Sequence, residues 1–253
     1  VFSYYLIPYL FKFMFNYTNK LIQGWKEQVS SRLSPLLSLI WVGGFAIAAF
    51  CVWGFFQIAE RVFSEQTTEI DTAILQSIYE QHTPLLNQIM TGITFLGNGS
   101  TLIYLSCIVG VVLLVSRKFA SAFTLIIVAS GGIGLNLWLK NIFARVRPAL
   151  WERIVDATNY SFPSGHAMVS LVVYGFIGYL LIANFRSWSS VILFFTTLLI
   201  LAIGFSRLYL GVHWPTDIIA GYAAGLVWLI SCILSLEILQ FLFRKNNQEP
   251  VSD

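Results

Sequence analysis

Six apolar runs, each near the length a helix needs to cross a bilayer, set what this chain can fold into. A helix rises about 1.5 Å per residue and a hydrocarbon core is about 30 Å thick, so roughly 20 apolar residues make one crossing. Such runs extend over about Leu36–Ile58, Asn98–Ser116, Phe119–Leu139, Gly165–Asn184, Trp188–Phe205 and Pro215–Phe243, the second being the shortest. The 253 residues are 57% hydrophobic and 11% charged, with a mean hydropathy of +0.74, which is too apolar for a soluble domain of this length. The expected fold is all-α: a polytopic membrane protein with six transmembrane helices. The expected division is a membrane domain over 36–243 with an extracytoplasmic loop at 59–97, a cytoplasmic or interfacial segment over 1–35, and a cytoplasmic tail over 244–253.

The segment Val1–Phe15 is rich in Tyr, Phe and Leu, carries Lys12, and is followed by Lys20, Lys26 and Arg32. This pattern suits an amphipathic helix on the membrane surface. Positive charges that follow the apolar stretch instead of preceding it speak against a cleaved signal peptide. Cys51, Cys107 and Cys232 each sit inside an apolar run without the paired spacing of a zinc site or redox dithiol, so neither disulfides nor cysteine chemistry are expected.

Loop cations orient the spans. Lys20, Lys26, Arg32, Arg117, Lys118, Arg186, Arg244 and Lys245 fall on one side of six alternating helices, while Glu60, Glu65, Glu69, Asp71 and Glu80 fall on the other. Both termini are therefore expected in the cytoplasm. Lys140, Arg145, Arg147, Arg153 and Arg207 land on the outer side against this rule and need another explanation. The formal net charge of +3 fits membrane topology better than nucleic acid binding.

Those cations cluster with two histidines near the outer ends of late helices. Lys140-Asn-Ile-Phe-Ala-Arg145-Val-Arg147-Pro148 leaves the third span, Pro163-Ser164-Gly165-His166 opens the fourth, and Ser206-Arg207 with His213-Trp-Pro-Thr-Asp217 links the fifth to the sixth. Lys140 and Arg147 are seven apart, near two helical turns, so a continuing helix would aim both at one cavity. Arginine offers a planar fork of donors to phosphate oxygens, and lysine a compact charge. A helix opened by Pro-Ser-Gly presents free amides to an anion, with the Ser164 hydroxyl as a further donor. Arg207 at a helix C-terminus can reach the same anion. The spacing of His213 and Asp217 lets the carboxylate take a hydrogen bond from one ring nitrogen, leaving the other unprotonated and nucleophilic. His166, on a different helix, is then free to act as acid and base, so the whole set can transfer a phosphoryl group.

K-x6-R-P, P-S-G-H and S-R-x5-H-x3-D, complete and in this order, resemble the signature of the type-2 phosphatidic acid phosphatases, or lipid phosphate phosphatases, a family similar in its site to vanadium haloperoxidases. The resemblance covers about Asp71 to Gly221, including a stretch before the second span that is similar to bacterial members. It implies His213 as nucleophile, Asp217 as its partner, His166 as general acid and base, and Lys140, Arg147, Ser164, Gly165 and Arg207 as phosphate ligands. It also implies a lipid phosphate or pyrophosphate substrate and neither metal nor cofactor.

Two other classes can be set against this reading. A vanadate-dependent oxidase is disfavoured because ligands embedded in a membrane suit amphiphilic phosphate esters better than soluble halide chemistry. An anion channel or transporter would use intramembrane cations without cleaving an ester. His82 reads as a solvated loop residue, Arg145 and Arg153 as contacts to lipid head groups or guides for an anionic substrate, Glu237 as snorkelling to water, and most tryptophans as interfacial anchors. The lipid and the oligomeric state are left open.

Overall fold

The computed structural model describes residues 35–152, 154–155 and 159–246, with side chains described from Val42 to Gln240. The interfacial segment expected before residue 35, Arg153, and the tail beyond residue 246 lie outside the described residues. The chain clusters into two compact units, Val1–Phe45 and Ala46–Asp253, and the packing and site described below belong to the second.

Among the described residues there are eight α-helices and no strand: α1 Pro35–Phe63, α2 Thr68–Tyr79, α3 Pro84–Leu96, α4 Gly99–Val115, α5 Phe119–Phe143, α6 Gly165–Asn184, α7 Ser189–Tyr209 and α8 Pro215–Asn246, with a short 3-10 turn at Arg186–Trp188. Five stretches are long and apolar enough to cross a membrane: Val42–Phe63, Phe119–Phe143, Gly165–Asn184, Arg186–Tyr209 and Pro215–Gln240. The second expected span differs. At 17 residues α4 reaches only about 25 Å, and it is long and apolar enough for a sixth crossing only when taken together with α3, from which it is bent by 48°.

The region expected as the loop 59–97 is largely helical. Thr83 opens α3 with its hydroxyl accepting from Leu86 N at 3.2 Å and with Pro84 at the first helical position. The end of α5 also departs from expectation. Ala144 adopts a left-handed conformation (φ 44°), and its N–H bonds to the Lys140 carbonyl at 2.9 Å, so the helix stops before Arg147.

Helix α6 lies at the centre of the bundle, in contact with α4, α5, α7 and α8. Its Met168, Val172, Val173 and Phe176 are fully buried. Small residues allow close backbone contact between α6 and α8. A Cβ on Gly221 would stand 2.8 Å from the Ser164 carbonyl, and one on Gly225 3.0 Å from the Met168 carbonyl. This contact brings the starts of both helices together, and Ser164 N donates to the Asp217 carbonyl at 3.0 Å. Near the other end of α6, Lys118 Nζ donates to Asn184 Oδ1 at 2.5 Å, which sets the α4–α5 turn beside the α6–α7 turn.

Trp53, Trp138 and Trp188 are exposed on the bundle, whereas Trp228 packs over Gly131 and donates to the Val128 carbonyl at 3.2 Å. Glu237, expected to snorkel, accepts a hydrogen bond from the Tyr179 hydroxyl.

Candidate active site

The starts of α6 and α8 and the ends of α5 and α7 meet at one end of the bundle, and all eight residues of the expected site come together there. Asp217, in the first turn of α8, is fully buried. Its Oδ2 accepts Trp214 N at 2.9 Å and faces His213 Nδ1 at 3.3 Å. The opposite ring nitrogen, His213 Nε2, is 3.1 Å from Arg147 Nη1. The carboxylate thus holds the ring proton on Nδ1, and Nε2 presents a lone pair to the guanidinium. His213 is only 2% exposed. Burial, followed by the charges of Arg147, Arg207 and Lys140, pushes its imidazole well below the ordinary 6.5, so the ring is neutral at physiological pH.

Arg147 reaches His213 from an extended segment, not from the continued helix that the spacing suggested. Two stretches of the connection between α5 and α6 are tied together: Ser161 N donates to the Arg145 carbonyl at 2.8 Å, and Ser161 Oγ lies 3.1 Å from the same carbonyl. Arg147 Nε donates to the Asn159 carbonyl at 2.9 Å and Nη1 to the Val212 carbonyl at 2.6 Å. Lys140, in the last turn of α5, is buried and donates to the Tyr160 carbonyl. These backbone acceptors aim both cations.

Ser164 is the N-cap of α6, its hydroxyl facing Ala167 N at 3.5 Å, and Pro163 precedes the cap instead of lying in the first turn. By helical geometry the amides of Gly165 and His166 have no carbonyl of their own helix to bond, an arrangement that suits an anion. A Cβ on Gly165 would meet Asn136 Oδ1 at 2.9 Å, and the Asn136 amide donates to the Pro163 carbonyl at 3.2 Å. Asn136 therefore buttresses this turn from α5. His166 Nε2 lies 2.9 Å from Asn98 Oδ1, at the break between α3 and α4. Arg207 donates through Nη1 to Thr94 Oγ1 at 2.7 Å, while its buried Nε has no partner among the described residues. A buried donor of this kind is one that a bound anion can satisfy.

Sequence reasoning missed Asn98, Thr94, Asn136 and Asp71, which come from outside the three motifs, and Thr216, an unspecified position within the third. Arg145, expected at lipid head groups or as a guide for an anionic substrate, has its guanidinium bound between Asp217 Oδ1 at 2.7 Å and Asp71 Oδ2 at 2.8 Å. His82 is corrected. Its Nε2 is 2.8 Å from the Tyr209 carbonyl, and its ring stacks on Tyr209 at 4.2 Å. Neither connection could be read from local pattern, since the partners lie 72 or more residues away.

Two imidazoles, one of them paired with a buried carboxylate, set among three cations at one end of a bundle of apolar helices are an arrangement suited to a membrane-embedded phosphatase. Residues 119–240 match the family model described as the PAP2 superfamily. Phosphatidylglycerophosphatase B of Bacillus subtilis (strain 168) is 33% identical over 176 residues, 68% of this chain and 86% of that protein. An undecaprenyl-diphosphatase of Sulfolobus acidocaldarius is 31% identical over 123 residues, 47% of this chain and 56% of that protein. The crystal structure of a transmembrane PAP2 type phosphatidylglycerolphosphate phosphatase from Bacillus subtilis is similar with a TM-score of 0.73 at 30% identity, covering 76% of this chain and 96% of that one. The chain belongs to the PAP2 superfamily and is a membrane lipid phosphatase.

Proposed function

We propose that the chain removes the terminal phosphate of a lipid phosphate through a phosphohistidine formed on His213, without a metal cofactor. The observation that carries this reading is the His213 ring, held at Nδ1 by Asp217 and open at Nε2 toward Arg147. Nε2 attacks phosphorus in line with the ester oxygen, so the N–P bond forms as the P–O bond breaks. His166 gives its proton to the departing oxygen. It then takes a proton from water, whose oxygen attacks the phosphohistidine, returning the lone pair to Nε2 and releasing inorganic phosphate. Lys140, Arg147 and Arg207, with the Gly165 amide and the Ser164 hydroxyl, stabilise the equatorial oxygens.

Phosphatidylglycerol phosphate is assigned first, because the Bacillus subtilis relative named for it is matched over 86% of its length. The shorter match to an undecaprenyl-diphosphatase favours a second reading, cleavage of an isoprenoid diphosphate. We propose the reaction at the extracytoplasmic face with both termini cytoplasmic, the orientation that the loop cations favour.

The test is phosphate release by the purified protein in detergent from phosphatidylglycerol phosphate, phosphatidic acid and undecaprenyl diphosphate, with and without a chelator. The expected outcome is fastest cleavage of phosphatidylglycerol phosphate, undiminished by the chelator and inhibited by vanadate. Activity lost in chelator and restored by a divalent ion would remove the metal-free mechanism, and cleavage of the diphosphate alone would shift the substrate.

A further inference from the structure

We infer that Arg145, with Asp71 behind it, is a positioning residue that keeps Asp217 charged and turned toward His213, making α2 part of the catalytic unit. The inference rests on the reading of His213 as nucleophile.

Two carboxylates are withdrawn from water here, Asp217 at 0% and Asp71 at 1% exposure, and one guanidinium lies between them. A buried carboxylate without a partner is costly, and a neutral carboxyl no longer draws a proton onto the neighbouring ring nitrogen. Arg145 Nη1 engages Asp217 Oδ1 at 2.7 Å, which leaves Oδ2 for Trp214 N and His213 Nδ1. The arginine thus determines which carboxylate oxygen faces the histidine. The other cation acting on Asp217 is Lys140 on α5, whereas Arg147 faces the far ring nitrogen of His213 at 3.1 Å.

Asp71 completes the arrangement from α2. Its Oδ2 accepts Arg145 Nη2 at 2.8 Å and the Thr216 hydroxyl at 2.7 Å, while Oδ1 accepts Thr216 N at 3.1 Å. The same hydroxyl accepts Arg145 Nη1 at 2.8 Å, and the guanidinium lies over the Trp214 ring at 5.3 Å from its centroid. Asp71 therefore bonds the first turn of α8 and the arginine at once. A tie between α2 and α8 alone would need only Asp71 and Thr216; the Arg145 contact to Asp217 is the part with a chemical consequence.

Removing a residue that orients a catalytic group slows chemistry without weakening phosphate binding. In Arg145→Met, phosphoenzyme formation is expected to slow about 10–100-fold while vanadate affinity stays within about threefold, and Arg145→Lys is expected to recover part of the rate. Asp71→Asn should show the same split, and the double variant should be no slower than Arg145→Met, because the two residues act as a unit. Should Arg145→Met fail to fold, Arg145→Lys and Thr216→Val carry the same comparison of rate against vanadate affinity. A wild-type rate in Arg145→Met, or rate and vanadate affinity falling together, overturns the inference. So do additive effects of the two substitutions. His213→Asn keeps the two readings apart: a phosphoenzyme surviving in that variant would remove the nucleophile assignment itself.

Discussion

The two site histidines have unlike partners, a carboxylate for His213 and a carboxamide for His166, in keeping with the separate tasks proposed for them. In the proposed mechanism Asp217 stabilises an imidazole that acquires positive charge as Nε2 bonds to phosphorus. Asn98 offers His166 Nε2 a neutral oxygen at 2.9 Å, which orients the ring without binding its proton tightly. A lipid alkoxide needs that proton as it leaves, whereas a nitrophenolate does not. His166→Asn should therefore slow phosphoenzyme formation from a lipid phosphate far more than from nitrophenyl phosphate, and His213→Asn should abolish it with both. Rapid-quench trapping of the phosphoenzyme is the measurement, and a phosphoenzyme formed by the His213 variant alone would exchange the two assignments. At this scale the three motifs made legible the eight residues that the structure brings together. What stayed hidden was their support: Arg145 is two residues from Arg147, but its partners Asp71 and Asp217 are set by tertiary packing.

Among elements, the start of α6 joins fold to chemistry most closely, because the turn that begins the helix also presents the anion-binding amides. Gly165 is required there by the nearness of Asn136, whose Oδ1 would stand 2.9 Å from a Cβ and whose amide is committed to the Pro163 carbonyl. Gly165→Ala would displace this buttress while adding a residue that helices favour by about 1 kcal/mol. The expected result is a fall in kcat/KM of about tenfold or more with little change in thermal midpoint, partly reversed by adding Asn136→Ser. An unchanged kcat/KM in Gly165→Ala would show that the turn tolerates the displacement. The start of this helix was legible from Ser-Gly, with the observed bounds Gly165–Asn184 equal to those expected. The end of α5 was not, since a left-handed Ala144 carries no glycine to announce it. Helices α2 and α3 were concealed for another reason: a search for 20-residue apolar runs passes over helices of 12 and 13 residues.

For the molecule as a whole, the charges divide into two populations with different physical causes. Arg117, Lys118 and Arg186 lie in turns that the Lys118–Asn184 hydrogen bond places side by side, as expected of cations retained on the cytoplasmic face. Lys140, Arg145, Arg147 and Arg207 gather at the opposite end around His213 and Asp217, where the Asp71 ion pair accounts for Arg145 and the proposed phosphate binding for the other three. Topology and catalysis thus make separate demands on the same residue types, and only the first population reports orientation. In a background where Cys51, Cys107 and Cys232 are replaced, thiol labelling should distinguish the two faces. A cysteine at the exposed Glu152, in the segment that carries Arg147, should react with an impermeant maleimide in intact cells. One at the exposed Ser187 leaves the neighbouring Arg186 in place, so the topogenic charge is unaltered, and it should react only after lysis. The reverse pattern would invert the orientation and require the lipid phosphate to enter from the cytoplasmic leaflet.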